Sequence, residues 1–416
     1  MGSSLQAYLA EVNRAVSQQN SQALSQLIRV DSLKAKNAVA GALQPSNRVN
    51  LGQMCENIVS AGDGFMPEVM LAFCQCLCAL QQKRFPDAYT SICSAVSGFV
   101  KEYKQAASAW VCGPLFTLIW NMRVVAAMAD KHTQLKRNPN ERPDKLKDVG
   151  NKLMKVFRDT LQGAGNREKK RATLYVVTQL FKIYFSLNTL QLCKNLIKAV
   201  ESPQVIPFEN FPVSHRVTYK FYVGSLSLFN EEFQRAEQEL SYALQHCHKA
   251  SVANKRLILQ YLVPVKLLLG SLPRAGLLEQ HQLPEYVPVV QAMRTGNVRL
   301  LDEALETHQE AFFRTGTYLV LERLRPSVHR TLFKKISLIN KELNPTKAHQ
   351  LPLELLQVGL KCVGVEIDIE EVECILANLI HRKYVKGYIS HTKKIAVLSK
   401  ADAFPKLCNA TFADPT

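Results

Sequence analysis

Apolar residues recur every three or four positions along most of the chain, which is the spacing of an amphipathic helix. One such series occupies residues 71–80 and ends at the polar stretch QQKRFPDAY, and a second occupies residues 88–99. Two helices joined by a short polar turn form a helical hairpin. The same pattern predicts further hairpins at residues 179–200 and 220–247.

The last of these hairpins shows which residue types shape the turn. An aromatic residue and the small Gly224 precede the turn, and Phe233 and Ala236 follow it. This order is typical of tetratricopeptide-like (TPR-like) repeats, whose small residues let paired helices approach closely. Because the spacing is irregular, the pattern predicts a helical-hairpin solenoid rather than a regular repeat array.

After residue 326 the pattern changes. One amphipathic helix, PSVHRTLFKKISLINKEL, precedes two shorter helical segments, LPLELLQVGLKCV and DIEEVECILANLIHRK. Asp368 and Glu371 open the third helix, where carboxylates suit the positive end of the helix dipole. The alternating segments YVKGYIS and KIAVLS then flank the polar turn HTKK and predict two strands. Three helices followed by a two-stranded wing predict a winged helix.

The predicted fold class is therefore all-α, a TPR-like solenoid followed by a C-terminal winged helix. Residues 1–60 are expected to be a helical region of unassigned role, and residues 61–325 the solenoid. The winged helix is assigned to residues 326–400 and a C-terminal tail to residues 401–416. Since no Gly/Ser-rich spacer separates solenoid and winged helix, we expect them to pack rigidly together.

Positive charge favours a polyanionic or acidic partner. The 416 residues include 52 Lys and Arg against 35 Asp and Glu, a formal net charge of +17. Residues 381–400 contain six cations and no acid. We predict one phosphate-binding surface made of these six and three residues of the first winged-helix helix, namely Arg382, Lys383, Lys386, Lys393, Lys394, Lys400, Arg330, Lys334 and Lys335.

The expected mode of binding is backbone neutralisation with little sequence readout. Winged helices often place the third helix in the major groove, but here Glu370 and Glu373 near its start would repel phosphates. Tyr384 and Tyr388 are candidates for stacking on unpaired bases or for covering the edge of the core. An acidic protein patch and a merely solvated surface remain open alternatives for the basic wing. On the first helix, Arg330, Lys334 and Lys341 are expected to lie on one side, opposite the apolar face.

A second basic segment covers residues 131–171, with 13 Lys and Arg against 5 acids. Its polar stretches RNPNERPDK and GAGNREKKR predict exposed loops around a helix at about residues 144–161. A solvated surface and an auxiliary nucleic-acid contact are both compatible with this composition.

Enzyme, cofactor and metal motifs are missing from the sequence. It has no phosphate-binding G-x-x-x-x-G-K-[ST] loop, no G-x-G-x-x-G after a strand, and neither H-E-x-x-H nor G-x-S-x-G. The HCH triplet at residues 246–248 would point its side chains apart on a helix, and Cys74 with Cys78 lacks partner ligands.

Eleven scattered cysteines without a secretory signal indicate reduced thiols. No uninterrupted apolar run approaches the ~20 residues that span a bilayer. We expect a soluble non-enzyme without cofactor or metal.

A helical array that runs directly into a winged helix is similar to the PCI module of proteasome-lid, signalosome and initiation-factor subunits. The segments QLFKIYF, RVTYKFYVG, LSYALQHCH, YLVPVKLLLG, CILANLIHRKYVKGYISH and VLSKADAFP resemble the PCI-domain-containing protein two family. The likeness covers roughly residues 70–405. That family is the Thp-type, signalosome-subunit-twelve-like component of the second transcription-and-export complex.

The resemblance implies a nuclear scaffold subunit that works in messenger-RNA export at the nuclear pore, with the cytoplasm as a second location. Its implied partners are the large Sac-type scaffold (germinal-centre-associated nuclear protein) and a small acidic Sem-type subunit. In the family, the winged helices of the Thp-type and Sac-type subunits lie side by side and bind RNA or DNA. A partner's winged helix would thus complete the predicted surface.

Two rival hypotheses remain. Lid, signalosome and initiation-factor subunits resemble one another in a long helix after the winged helix, whereas this sequence has about 16 residues there, with two prolines. That difference favours the export complex. A ribosome-associated RNA-binding protein is favoured by the charge alone.

Overall fold

The computed structural model describes residues 4–42, 51–59, 66–136, 144–162, 167–202 and 205–407. The chain divides into two compact units, Met1–Tyr222 and Val223–Thr416. The described residues are helical apart from short 3-10 turns, three short strands and connecting loops. The predicted all-α class is confirmed.

The helices of the first unit follow one another with short connections. They are α1 (Ser4–Ser17), α2 (Ser21–Leu27), α3 (Leu33–Ala42), α4 (Leu51–Ile58), α5 (Met66–Gln81), α6 (Phe85–Gln105), α7 (Cys112–Lys136), α8 (Asp144–Gln162), α9 (Ala172–Ser186) and α10 (Gln191–Val200). Helix α11 (Val213–Phe229) crosses from the first unit into the second. The helix predicted at 144–161 is thus confirmed as α8, whereas residues 137–143 and 163–166 of the basic segment lie outside the described residues.

The three predicted hairpins share one kind of turn. Between α5 and α6, Lys83 has a φ of 57°, and the amide of Arg84 donates to the carbonyl of Ala79 at 2.8 Å. Asn188 and Glu231 take the same left-handed conformation in the other two hairpins. A left-handed residue at the end of a helix lets the following amide donate a hydrogen bond to one of the last carbonyls of the helix. The backbone therefore reverses within three or four residues and stacks the next helix on the previous one.

A close approach of backbones explains the glycine in α11. A Cβ atom on Gly224 would lie 2.7 Å from Cγ of Leu240 and 3.1 Å from its backbone nitrogen. Leu240 belongs to α12, where Ala236 and Ala243 are also buried. Small residues on facing helices let the two axes approach, as the sequence pattern predicts.

Among the described residues, one apolar helix is long enough to cross a membrane by length and composition alone, contrary to the expectation from the sequence. It spans Ala109–Thr133, and 56% of its most apolar 18-residue window is buried. Its polar residues have protein partners: Asn121 donates to the carbonyl of Ile28 at 2.6 Å, and Asp130 accepts from the amide of Leu146. A helix that is apolar on most sides and buried in this way is a core helix.

The second unit consists of further helices and ends in the winged helix. Its helices are α12 (Phe233–His246), α13 (Val252–Leu268), α14 (Ala275–Gln280), α15 (Val287–Thr295), α16 (Val298–Thr307), α17 (Gln309–Thr315), α18 (Tyr318–Glu322), α19 (Arg325–Leu343), α20 (Leu353–Cys362) and α21 (Ile369–His381). Its strands are β1 (Gln350–Pro352), β2 (Gly387–Ser390) and β3 (Ile395–Leu398).

The winged helix consists of α19, α20, α21 and a three-stranded antiparallel sheet in the order β1-β3-β2. The sequence predicts only β2 and β3, because the three residues of β1 are too few to show an alternating pattern. Asp368 caps α21 as predicted, and its carboxylate accepts from the amide of Glu371 at 2.7 Å. Helix α19 packs closely on α15, where a Cβ atom on Gly296 would meet the backbone of Leu332 at 2.6 Å.

Replacing Gly224 by alanine should destabilise the second unit. The added methyl collides with Leu240, and overpacking of this kind costs roughly 1–3 kcal/mol, which exceeds the helix-propensity gain of about 1 kcal/mol. The matched control is Gly276→Ala in α14, where a Cβ atom meets nothing within 4 Å and stability should stay level or rise. Urea unfolding of both variants measures the difference, and equal stabilities would refute the close approach of α11 and α12.

Candidate nucleic-acid interface

A groove of about 400 Å³ lies on the winged helix between α19, the residues before β1 and the segment after β3. Lys334 and Lys341 line it from α19, where a spacing of seven residues puts them on the same face. Lys400 lines it from the segment after β3. We call these three lysines, with His349 and Leu338, the winged-helix groove. The tertiary fold thus brings two of the nine predicted cations together with Lys341.

The groove carries more positive than negative charge. Asp402 is the one acid among its lining residues, and it lies 3.8 Å from Nζ of Lys386. Leu338, which is 52% exposed, gives the groove an apolar element beside the lysines. Lysine ammonium groups act as mobile point charges rather than as a fixed hydrogen-bonding fork. This arrangement suits phosphate groups and offers little that would read a base sequence.

Arg330 does not belong to this surface, which corrects the sequence prediction. The residue is 8% exposed, and its guanidinium donates to the carbonyls of Tyr384 at 3.2 Å and of Phe404 at 3.0 Å, and also to that of Pro405. Burial lowers the pKa of this guanidinium. Arg330 is a structural residue that fixes the segment after β3, and that segment forms one wall of the groove.

The sequence also predicts Lys394 as part of the phosphate-binding surface, but this side chain is engaged by acidic residues of the protein. It is half-buried, and its ammonium lies 3.1 Å from Glu373 and 3.3 Å from Glu370 of α21. His391 contacts the same carboxylate of Glu373 at 2.8 Å. The hydrogen bonds from His391 and Lys394 lower the pKa of Glu373. These contacts hold the turn of the wing against the acidic start of α21, while Lys393 remains exposed.

Four other predicted cations do not line the groove. Lys335 donates to the carbonyl of Thr295 at the end of α15, on a different side of α19 from Lys334. Arg382 ends α21 and is half-buried. Lys383 is exposed and takes the left-handed conformation, with a φ of 60°. Lys386 is exposed and faces Asp402. These four residues are accessible to a partner in different degrees, and binding by them stays a prediction.

The two tyrosines have different roles. Tyr384 is 4% exposed, and burial raises its pKa, so its ring covers the core and does not present a face to a base. Tyr388 in β2 is 64% exposed. Of the two stacking candidates, only Tyr388 is accessible.

The described part of the basic segment 131–171 contains a buried lysine. Lys169 is buried, and its ammonium donates to the carbonyl of Ala106 at 2.8 Å after the end of α6. Tyr103 donates to the carbonyl of Lys169 at 2.9 Å. At this position the positive charge satisfies helix-end carbonyls, so it does not contribute to a nucleic-acid contact.

The described residues contain no group of three or more His, Cys, Asp or Glu side chains that could hold a metal ion. Cys74, Cys78 and Cys247 are buried. His246 stacks on Tyr242 with 4.0 Å between ring centroids.

The chain is similar to one described domain family and to proteins of several organisms. A family model described as PCI domain matches residues 305–400. Enhanced ethylene response protein 5 of Arabidopsis thaliana is 40% identical over 402 residues, covering 96% of this chain and 95% of that protein. PCI domain-containing protein 2 of Xenopus laevis is 36% identical over 406 residues, covering 96% and 97%. The Protein CSN12 homolog of Mycosarcoma maydis is 36% identical, covering 80% of this chain and 78% of its own length.

Replacing Arg330 by leucine should destabilise the winged helix by roughly 3 kcal/mol, because it leaves buried carbonyls without their charged donor. Lys334→Leu, one turn further along α19, is the control and should stay within about 0.5 kcal/mol of the wild type, since Lys334 is exposed. Thermal and urea unfolding measure both. Equal stabilities of the two variants would contradict a structural role of Arg330 and would make it a candidate for phosphate binding again.

Proposed function

Because the chain belongs to the family of PCI domain-containing protein 2, and is thus a PCI scaffold subunit, we propose that it works in the nuclear transcription-and-export complex two. In this proposal it is a non-enzymatic subunit that binds RNA or DNA through the winged-helix groove and couples transcription to messenger-RNA export at the nuclear pore. The observation that carries the proposal is the meeting of Lys334, Lys341 and Lys400 in one groove.

The chemistry of the groove supports binding without sequence preference. Its lysines come from two different segments, so a phosphate backbone lying in the groove would contact both walls. Each phosphate contact by a lysine releases counterions, which makes the affinity depend on salt with a slope of ~0.7 per contact for single strands. The accessible Tyr388 offers one ring for stacking.

The proposed partners follow from the family and from the charge. We propose that the Sac-type scaffold places its winged helix beside this one and extends the nucleic-acid surface. We also propose that a small acidic Sem-type subunit binds along the solenoid or at its junction with the winged helix. The net charge of +17 supports an acidic partner. The proposed location is the nucleus, at the pore, with the cytoplasm as a second site.

Neutralising the groove should weaken RNA binding and flatten its salt dependence. We expect the triple variant Lys334→Gln, Lys341→Gln, Lys400→Gln, assayed in the partner-bound complex, to lose ~2 from the slope of log affinity against log salt, equally on two unrelated single-stranded RNAs. The control variant, Lys198→Gln, Lys249→Gln, Lys361→Gln, has the same change in charge at exposed positions that belong neither to the groove lining nor to the nine predicted cations.

Both variants should keep the melting temperature of the wild type, because surface substitutions usually change stability by less than ~0.5 kcal/mol each. If the groove variant binds like the control variant, the groove is not the phosphate surface. A loss on only one of the two RNAs would show that the groove reads sequence.

Affinity purification of the endogenous protein tests the complex. We expect Sac-type and Sem-type subunits to be recovered, and the acidic subunit to be released progressively as salt rises, because exposed charges are screened beyond ~8 Å at physiological ionic strength. Recovery of proteasome-lid subunits or ribosomes instead would assign the chain to another assembly. Recovery of the acidic subunit at all salt concentrations would mean that apolar burial rather than charge holds it.

A further inference from the structure

A concave pocket of about 680 Å³ lies in the first unit at the N-terminal end of α9. One wall is the segment directly before α9, which contributes Arg167, Lys170 and Arg171. The other wall is the connection between α10 and α11, where residues 205–207 are Val, Ile and Pro. We call this site the α9 pocket. Its volume falls in the range of about 300–1,000 Å³ that is typical of small-molecule sites.

Buried contacts hold the wall that carries the cations. The ammonium of Lys169 donates to the carbonyl of Ala106 at 2.8 Å, and the carbonyl of Lys169 accepts from the hydroxyl of Tyr103 at 2.9 Å. The amide of Arg171 donates to the carbonyl of Glu168 at 3.2 Å and closes a tight turn. Lys169 is thus a buried anchor in the middle of the segment. The cations on either side of it line the pocket from a backbone that is fixed in place.

The charges in the α9 pocket are unbalanced. Glu168 is the one acid among the lining residues, against three cations. Within the described ranges, no carboxylate forms an ion pair with Arg167 or Arg171. The cations also directly precede α9, at the positive end of the helix dipole, where an anion is stabilising and a cation is not. A bound anion would therefore relieve a repulsion that exists in the free protein.

The two walls indicate which anion fits. An arginine guanidinium binds phosphate through parallel N–H donors, which gives it a geometric preference for this group. Three cations within five consecutive residues match several phosphate charges that lie close together. The wall at residues 205–207 is aliphatic, and the lining contains no aromatic ring on which a base could stack. Such a wall suits the C–H groups of a saturated carbon ring.

We propose that the α9 pocket binds a small, multiply phosphorylated molecule without a nucleobase, of the class of phosphorylated sugars and cyclitols. Its phosphates bind to Arg167, Lys170 and Arg171, and its carbon ring packs on residues 205–207. The exposed amide of Asn210, which also lines the pocket, is available to a ligand oxygen. This site lies in the first unit and uses none of the groove lysines, so it goes beyond the proposed nucleic-acid function.

A nucleic-acid strand or an acidic peptide fits the α9 pocket less well. A strand spreads single charges along its backbone and needs a track of cations, whereas the cations here come from one short turn. A peptide carboxylate carries one charge, but a phosphate monoester carries about two. A compact ligand with several monoesters supplies the most negative charge within the available volume.

The test uses myo-inositol hexakisphosphate as the probe and isothermal titration calorimetry on the full-length protein. We expect one site whose affinity falls at least tenfold in the double variant Arg167→Gln, Arg171→Gln, because two charge-assisted contacts are lost. The matched control, Arg14→Gln with Arg274→Gln, makes the same charge change at exposed positions outside both the α9 pocket and the winged-helix groove. The control and the triple groove variant should bind the probe like the wild type.

Thermal unfolding without the probe separates binding from structure. Arg171 makes no side-chain capping bond to α9, and the double variant removes like charges from the helix start. Its melting temperature should therefore equal or exceed that of the wild type. A clearly lower value would make the two arginines structural residues and overturn the proposal.

Three binding results would also overturn it. One is a wild type that does not bind the probe, and another is equal affinity of the wild type and the double variant. The third is a fifteen-nucleotide oligouridylate, or a peptide of twelve glutamates, that loses as much affinity in the double variant as the probe does. In that case the segment would be a general anion surface rather than a pocket for a small phosphorylated molecule.

Discussion

In the winged helix, the guanidinium of Arg330 is enclosed by carbonyl oxygens from two distant parts of the chain. It donates to Tyr384, which follows α21, and to Phe404 and Pro405, which follow β3. A buried charge is tolerated only where such partners replace water. Together with backbone hydrogen bonds from Ser399 to Lys386 and from Lys386 to Ala403, these bonds hold the segment after β3 next to α19, where Lys400 and Lys334 line the same groove. The geometry of the groove therefore depends in part on a buried cation whose guanidinium is taken up by protein carbonyls.

The cations of this chain have at least three physical roles. Some, such as Arg330 and Lys169, are buried and satisfy carbonyls that would otherwise be unpaired. Lys394 neutralises the acidic start of α21 and connects the wing to the helix. Lys334, Lys341 and Lys400 face an open groove and remain accessible to phosphates. The net charge of a protein with such mixed roles indicates the kind of partner but does not locate its binding site.

Short-range constraints build the solenoid that carries these sites. Left-handed residues such as Lys83 and Glu231 end a helix within one turn, and the small Gly224 lets the next helix lie against it. The same kind of turn, with Lys383 in the left-handed conformation, ends α21 before the wing. Helix α19 packs closely on α15, and no flexible spacer precedes α19 in the sequence. The winged helix is therefore fixed to the last hairpins of the second unit.

The sequence by itself determined the features that depend on near neighbours. Helical periodicity, the hairpin turns, the Asp368 cap and the resemblance to a PCI family can all be read from local patterns, because each involves residues a few positions apart. Which cations are accessible was decided only by the tertiary structure. Arg330 and Phe404 are 74 positions apart, and Lys394 and Glu373 are 21 apart, so no local pattern reveals these contacts.

Composition cannot tell the buried Arg330 from the exposed Lys334 on the same helix. A helix presents polar residues both to solvent and to a later segment that packs on it, and the position of that segment is a property of the folded chain. The sequence does not reveal strand β1 either, because three residues are too few to show an alternating pattern and the strand pairs with β3, which lies far away in the chain.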